Sequence, residues 1–286
     1  MSSRPKWRTL LMLGRASNLP TVWSNCLAGW LLGGGGENWP RFALLCGGAT
    51  LLYLGGMYLN DAFDAEFDTQ HRRERPIPSG VITEKTVWRI GLALLAGGFA
   101  LLVPLGFATT VLATFLAASI LLYDAVHKMV TFSPVLMALC RLLLYLVAAS
   151  AAAEGVTGLA MWSAIALAFY ITGLSCLARK ESTGVVIQFW PQLLLVVPVL
   201  LALLVNDGLS RPKAWSVAAI LVLWSARSLR SAWAQPRNVP RAVSGLLAGI
   251  VWVDLLAVAD EPRTVGALFI ALFLLALGFQ RFVPAT

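Results

Sequence analysis

The chain has 286 residues, 58% of them apolar and only 13% charged, with a mean hydropathy of +0.77. Soluble domains carry about 25% charged residues, which excludes a soluble globular protein. The formal net charge is +8, but the basic residues are spread over many loops rather than gathered on one face, which argues against nucleic acid as a partner.

An apolar stretch of roughly 20 residues crosses a bilayer as a helix. Such stretches fall at residues 16–36, 41–62, 85–103, 107–123, 133–153, 158–178, 186–205, 213–234, 240–259 and 264–282. They predict a single all-α domain over 1–286, a polytopic transmembrane bundle of nine to ten spans. The first span follows a basic N-terminus with no small-residue cleavage site, so it reads as a retained helix. Span two carries Gly47, Gly48, Gly55 and Gly56. Pairs eight residues apart return to nearly one face and invite a close helix neighbour. Its inner end runs into "NDAFDAEFDTQHRRERPIPSG", span four ends in "YDAVHK" and span six in "ARKEST".

With both ends inside, 17 of the 22 Lys and Arg fall on one side; only Arg41, Arg211, Lys213 and Arg263 fall on the other, and Arg141 lies within a span. Basic loops are retained on the cytoplasmic side, so the longer polar connections, including 63–85 and 124–133, are expected there. The bacterial inner membrane is the expected location. Cys26, Cys46, Cys140 and Cys176 lie in spans and form no CxxC pair, which suggests neither a disulfide framework nor a zinc site.

At 100° per residue, Asn60, Asp64 and Asp68 share an arc of about 80°, Asp61 lies about 100° from Asn60, and Glu66 points elsewhere. Carboxylates so close repel strongly where the dielectric is low, so something positive must face them. Mg²⁺ takes hard oxygen ligands, commonly carboxylates together with phosphates, and Arg72, Arg73 and Arg75, next along the chain, suit phosphate oxygens. The expected ligand is a diphosphate held with Mg²⁺ on the row Asn60, Asp61, Asp64 and Asp68; the alternative is a solvated helix end with surface salt bridges. Arg141 is costly in lipid and needs a partner; Asp124 is the one its position suggests. His71 and His127 lack metal-ligand spacing and are expected to face solvent. Asp254 has no nameable partner.

"NDAFDAEFD" resembles the NDxxDxxxD motif of the UbiA superfamily of intramembrane prenyltransferases. "RERPIPSG" resembles that family's following loop, "GRASNLPTVWSNCLAGWL" its opening helix, and Tyr123 to Lys128 its Tyr-x-x-x-x-Lys end of span four. The "YDAVHK…MALCR…ARKE" combination further resembles the EboC-like branch. The resemblance implies nine spans, active-site aspartates at the inner ends of spans two and six, and substrate-pocket positions at Arg15 and Asn25. Span six departs from it: only Glu181 can act as a carboxylate there, beside Arg179 and Lys180.

On this reading the chain is an Mg²⁺-dependent prenyltransferase that moves an isoprenyl group from a prenyl diphosphate to an unidentified, for example aromatic, small-molecule acceptor. Asp61, Asp64, Lys128, Arg179 and Lys180 are the expected catalytic residues. Arg15, Asn25, Arg75, Tyr123, Asp124, Arg141 and Glu181 are expected to bind substrate. An aromatic face such as Tyr58, Phe63 or Tyr123 would steady an allylic cation. A CDP-alcohol phosphotransferase would need a DG–AR pair before the aspartates, and none precedes them. The alternative from another class is a non-catalytic membrane component that binds or moves a lipid diphosphate or a prenylated product.

Overall fold

The computed structural model describes residues 6–183, 190–206 and 211–284; the side chains of 6 and 180–183 fall outside the description. The described residues form helices and turns, with no strand among them. A short α1 (Lys6–Leu13) precedes α2 (Leu19–Leu32), α3 (Trp39–Phe63) and α4 (Ala65–His71). Then come α5 (Glu84–Leu102), α6 (Phe107–Val126), α7 (Ser133–Ser150), α8 (Gly158–Thr183) and α9 (Val197–Val205). The set closes with α10 (Arg211–Trp233), α11 (Val239–Ala257) and α12 (Arg263–Gln280). Caps are legible in the chain: Pro40 follows Asn38, whose Oδ1 accepts from the Arg41 amide, and Pro240 follows Asn238, which does the same for Arg241.

Helical segments stand at all ten expected spans. Among the described residues seven are long and apolar enough to cross a membrane: Trp39–Phe63, Glu84–Leu105, Phe107–Val126, Ser133–Ser150, Gly158–Arg179, Val239–Ala257 and Arg263–Gln280. The other three differ for evident reasons. α2 has only 14 residues because the turn Ala16–Asn18 replaces its first helical turn. Residues 190–205 are a 3₁₀ turn followed by the nine-residue α9, with Pro191 and Pro198 at the starts of the two pieces. α10 carries Arg211, Lys213, Arg227 and Arg230, which dilute its hydropathy.

α2 lies at the centre, packed on α3, α7, α11 and α12. α12 also meets the turn Ala16–Asn18, and Ser17 Oγ donates to the Pro284 carbonyl, so the chain's end returns to its beginning. At the end away from the acidic sequence, Arg41 donates from Nε to the Ala151 carbonyl at 2.6 Å and from Nη2 to the Leu105 carbonyl. One guanidinium thus fastens the start of α3 to the α5–α6 and α7–α8 connections.

The glycines bring α3 and α5 together, though at a spacing of seven rather than eight. Gly48 and Gly55 face Gly98 and Gly91, whereas Gly56 meets the Ile120 side chain of α6 and Gly47 makes only an ordinary contact with Leu101. A Cβ on Gly98 would stand 2.7 Å from the Gly48 carbonyl oxygen and 2.7 Å from the Leu52 amide nitrogen, both backbone atoms. Gly98→Ala should therefore destabilise the protein by about 1–3 kcal/mol, measured as a lower melting temperature in detergent. Gly97→Ala, whose methyl would meet only a Leu51 side-chain carbon at 3.6 Å, should melt like the parent.

Candidate functional site at the C-terminal end of the third helix

α3 stops at Asp64 and α4 starts one residue later, yet the helical ladder runs on. The Asp64 amide donates to the Asn60 carbonyl at 3.0 Å, and the Asp68 amide to the Asp64 carbonyl at 2.8 Å. Asp64 itself departs little from helical geometry, at φ −84° and ψ −4°. The spacing of four therefore keeps Asn60, Asp64 and Asp68 on one side, buried together with Asp61, while Glu66 is exposed. Glu66 lines a separate open hollow with Thr69, Glu84 and Trp88.

Three cations come to this row from three parts of the chain. Arg15 sits between α1 and α2 with φ +41° and ψ +48°, a left-handed conformation uncommon for a residue with a side chain. Its Nη2 donates to Asn60 Oδ1 at 3.1 Å and lies 3.5 Å from Asp61 Oδ1. Arg75 returns from the loop after α4 and joins Asp61 Oδ1 at 2.9 Å to Asp68 Oδ2 at 3.3 Å through one nitrogen, Nη1. Lys128, just beyond α6, reaches Asp64 Oδ1 at 2.6 Å and stands 3.8 Å above the Phe67 ring. His127 Nε2 lies 3.5 Å from the same oxygen, with its ring stacked on Tyr123 at 5.0 Å. This imidazole therefore belongs to the site, contrary to the solvent-facing position expected of it, because a histidine beside a site lysine shares its turn of chain. His71 is exposed.

Burial raises the Asp64 carboxyl, but hydrogen bonds and charge from His127 and Lys128 outweigh it and hold the group below the usual carboxylate value. Asp68 goes the other way: burial dominates and raises it, Arg75 opposes, and the nearby Asp64 adds to the rise. From α6, Asp124 Oδ1 accepts a hydrogen bond from Asn60 Nδ2 at 3.2 Å.

Residues 19–249 match the model of the UbiA prenyltransferase family. The chain belongs to that family. Over 98 residues it is 38% identical to a digeranylgeranylglyceryl phosphate synthase of Ignicoccus hospitalis, covering 34% of this chain and 32% of that one. Over 107 residues it is 34% identical to a 4-hydroxybenzoate octaprenyltransferase of Cupriavidus necator, covering 37% of this chain and 34% of the relative. These alignments span about a third of the curated relatives' length. The fold agrees over much more of the chain. A UbiA homologue from Aeropyrum pernix superposes with a TM-score of 0.66 at 15% identity, covering 90% of this chain and 99% of that one. A solved digeranylgeranylglyceryl phosphate synthase gives 0.59 at 18%, covering 96% and 100%.

Other expected site residues of this UbiA-family chain lie elsewhere. Arg141 pairs not with Asp124 but with α2: Nη1 donates to Asn25 Oδ1 at 2.8 Å and Nη2 to Thr21 Oγ1 at 3.2 Å. The Asn25 amide in turn donates to both Asp254 oxygens at 2.9 and 2.8 Å, and Ser24 Oγ donates to Oδ2 at 2.5 Å. Asp254 is thus the far end of a fully buried polar chain through α7, α2 and α11. Buried hydrogen-bonding groups need partners, which explains Asp254 without any ligand. Tyr58 donates to the Leu10 carbonyl, and Phe63 meets Trp88 edge-on. The side chains of Lys180 and Glu181 lie outside the described residues.

Among the described residues no three acidic, cysteine or histidine side chains converge on one point as a preformed metal site. The donor set nonetheless suits a hard cation. Asp68 Oδ1 and Asp124 Oδ2 are buried without a hydrogen-bond partner, and carboxylate oxygens are the ligands Mg²⁺ prefers. Four carboxylates, Asp61, Asp64, Asp68 and Asp124, meet three permanent cations, Arg15, Arg75 and Lys128.

Arg179 is turned to the α6–α7 connection. Its Nη1 donates to the carbonyls of Val130 at 2.6 Å and Thr131 at 2.7 Å, and to Ser133 Oγ at 2.9 Å. This clasp holds the segment that carries His127 and Lys128. A hydrogen bond from a charged group is worth about 1.5–3 kcal/mol, so Arg179→Ala should speed hydrogen exchange at 130–133 by about tenfold or more. Unchanged exchange in that segment would mean the clasp carries no strain from the loop.

Proposed function

We propose that this UbiA-family protein is a prenyltransferase that moves an isoprenyl group from a prenyl diphosphate, with Mg²⁺, to a small acceptor. The observation that carries the reading is the buried row Asn60, Asp61, Asp64 and Asp68 with Arg15, Arg75 and Lys128 against it. The relatives' named activities, digeranylgeranylglyceryl phosphate synthase and 4-hydroxybenzoate octaprenyltransferase, support prenyl transfer and leave the acceptor open. Asn60, Asp61, Asp64 and Asp68 would hold Mg²⁺, which when bound neutralises charge building on the leaving diphosphate. Arg75 and Lys128 supply N–H donors to the diphosphate oxygens. Arg15 fixes the Asn60 amide and the Asp61 carboxylate, so the row needs little reorganisation as charge moves. The Tyr123 ring, stacked on His127 beside Asp64, offers an aromatic face to the allylic carbon. The prenyl chain would lie among the apolar helices, and the site would face the cytoplasm of a bacterial cell.

The second reading, a binding component without catalysis, is favoured by Arg179, which is committed to loop carbonyls rather than to the acidic row. The two readings separate on one assay. Purified full-length protein, given prenyl diphosphates of increasing length and a lipid extract, should release pyrophosphate and yield a prenylated product by mass spectrometry only with Mg²⁺. Binding without release supports the non-catalytic reading. Asp64→Asn should lower release by about tenfold or more, the loss of one charged contact, while Glu66→Gln, on the exposed side, stays near the parent. Equal losses would refute the role given to this helix face. For orientation, an impermeant thiol reagent should label Arg73→Cys from the cytoplasmic side; labelling from outside would reverse the topology.

A further inference from the structure

The sequence offers Asp124 a cation, Arg141, and the fold withholds it. Arg141 is committed to Thr21 and Asn25. Arg15, Arg75 and Lys128 are engaged with Asp61, Asp68 and Asp64. Among the described residues Asp124 has no ion-pair partner, although it is 3% exposed. Among the described residues the one hydrogen bond to its carboxylate comes from the Asn60 amide on Oδ1, which ties it to the first residue of the acidic row. Oδ2 is buried with no donor at all. An ionised oxygen left so is costly, and the three carboxylates of the neighbouring row already occupy the three cations Arg15, Arg75 and Lys128, so Asp124 is the carboxylate left over. The end of α8, where the resemblance places a second set of aspartates, carries none: its sequence there is "ARKEST", with Glu181 as its one acidic residue.

We propose that Asp124 of α6 is a divalent-cation ligand of this chain, its Oδ2 adding a carboxylate oxygen to those of the neighbouring row. The inference rests on the Mg²⁺–diphosphate reading above. Asn60 has a matching role: its Oδ1 accepts from Arg15 while its amide donates to Asp124, so one residue sets the orientation of both. The simplest alternative is that Asp124 carries a proton or a water and serves only to orient Asn60. An asparagine could accept the same hydrogen bond from Asn60, but it lacks the anionic oxygen.

Mn²⁺ titration with inorganic pyrophosphate, followed by electron paramagnetic resonance of the full-length protein in detergent, tests this without turnover. Asp124→Asn should weaken Mn²⁺ binding by about tenfold or more, with Glu66→Gln unchanged. Asp124→Cys gives a second measure that a structural role would not move: thiolate favours soft ions, so its preference for Cd²⁺ over Mn²⁺ should rise by at least about tenfold over the parent. If both variants keep the parent's metal preference and Mn²⁺ affinity while Asp64→Asn loses Mn²⁺, Asp124 is not a ligand and the inference falls alone. If the parent binds no Mn²⁺ with pyrophosphate, the Mg²⁺–diphosphate reading falls and takes this inference with it.

Discussion

A carboxylate at the edge of an apolar bundle stays ionised only when cations or hydrogen-bond donors face it. Asp61 shows how much of this structure follows from that demand. Its Oδ1 draws Arg15 from before the first long helix and Arg75 from the loop after α4. To answer it, the chain adopts a left-handed residue at Arg15 and folds 72–82 back over the helix end. The same Arg75 nitrogen serves Asp68, so helix end, loop and N-terminal turn form one electrostatic unit. Its members are not independent contributors. Removing one charge leaves several others unbalanced, and effects of substitutions within it should not add.

Legibility from the sequence followed the range of the interaction. The row Asn60, Asp64, Asp68 could be read because it depends only on helical periodicity, and the ladder of backbone bonds persists through the break at Asp64. Arg75 was legible for a related reason, being near in sequence to the charges it serves. The span pattern was legible because it depends on composition over about twenty residues. It blurred only where proline, a 3₁₀ turn or scattered arginines interrupted the pattern.

The rest was hidden because it joins distant segments. Asn25 reaches Asp254, 229 positions away, and Arg141 reaches Asn25 across 116. No local signal distinguishes Arg141 bonded to α2 from Arg141 paired with Asp124. That choice is made by how α2, α7 and α11 cross. The heptad spacing of Gly48 and Gly55 likewise appears only when Gly91 and Gly98 stand opposite them. For Arg179 the sequence offered charge of the right sign at the expected place, but nothing in it marked the Val130 and Thr131 carbonyls as competing acceptors.

The guanidinium of Arg41 bears on how the helices can move against one another. By gripping the Leu105 and Ala151 carbonyls it ties the start of α3 to two helix connections at the end remote from the acidic row. The opposite end has its own fasteners in Arg15, Arg75 and Arg179, so the bundle is a set of rods clamped at both extremities. Rods held so resist splaying at either tip, and the freedom they keep is bowing along their length.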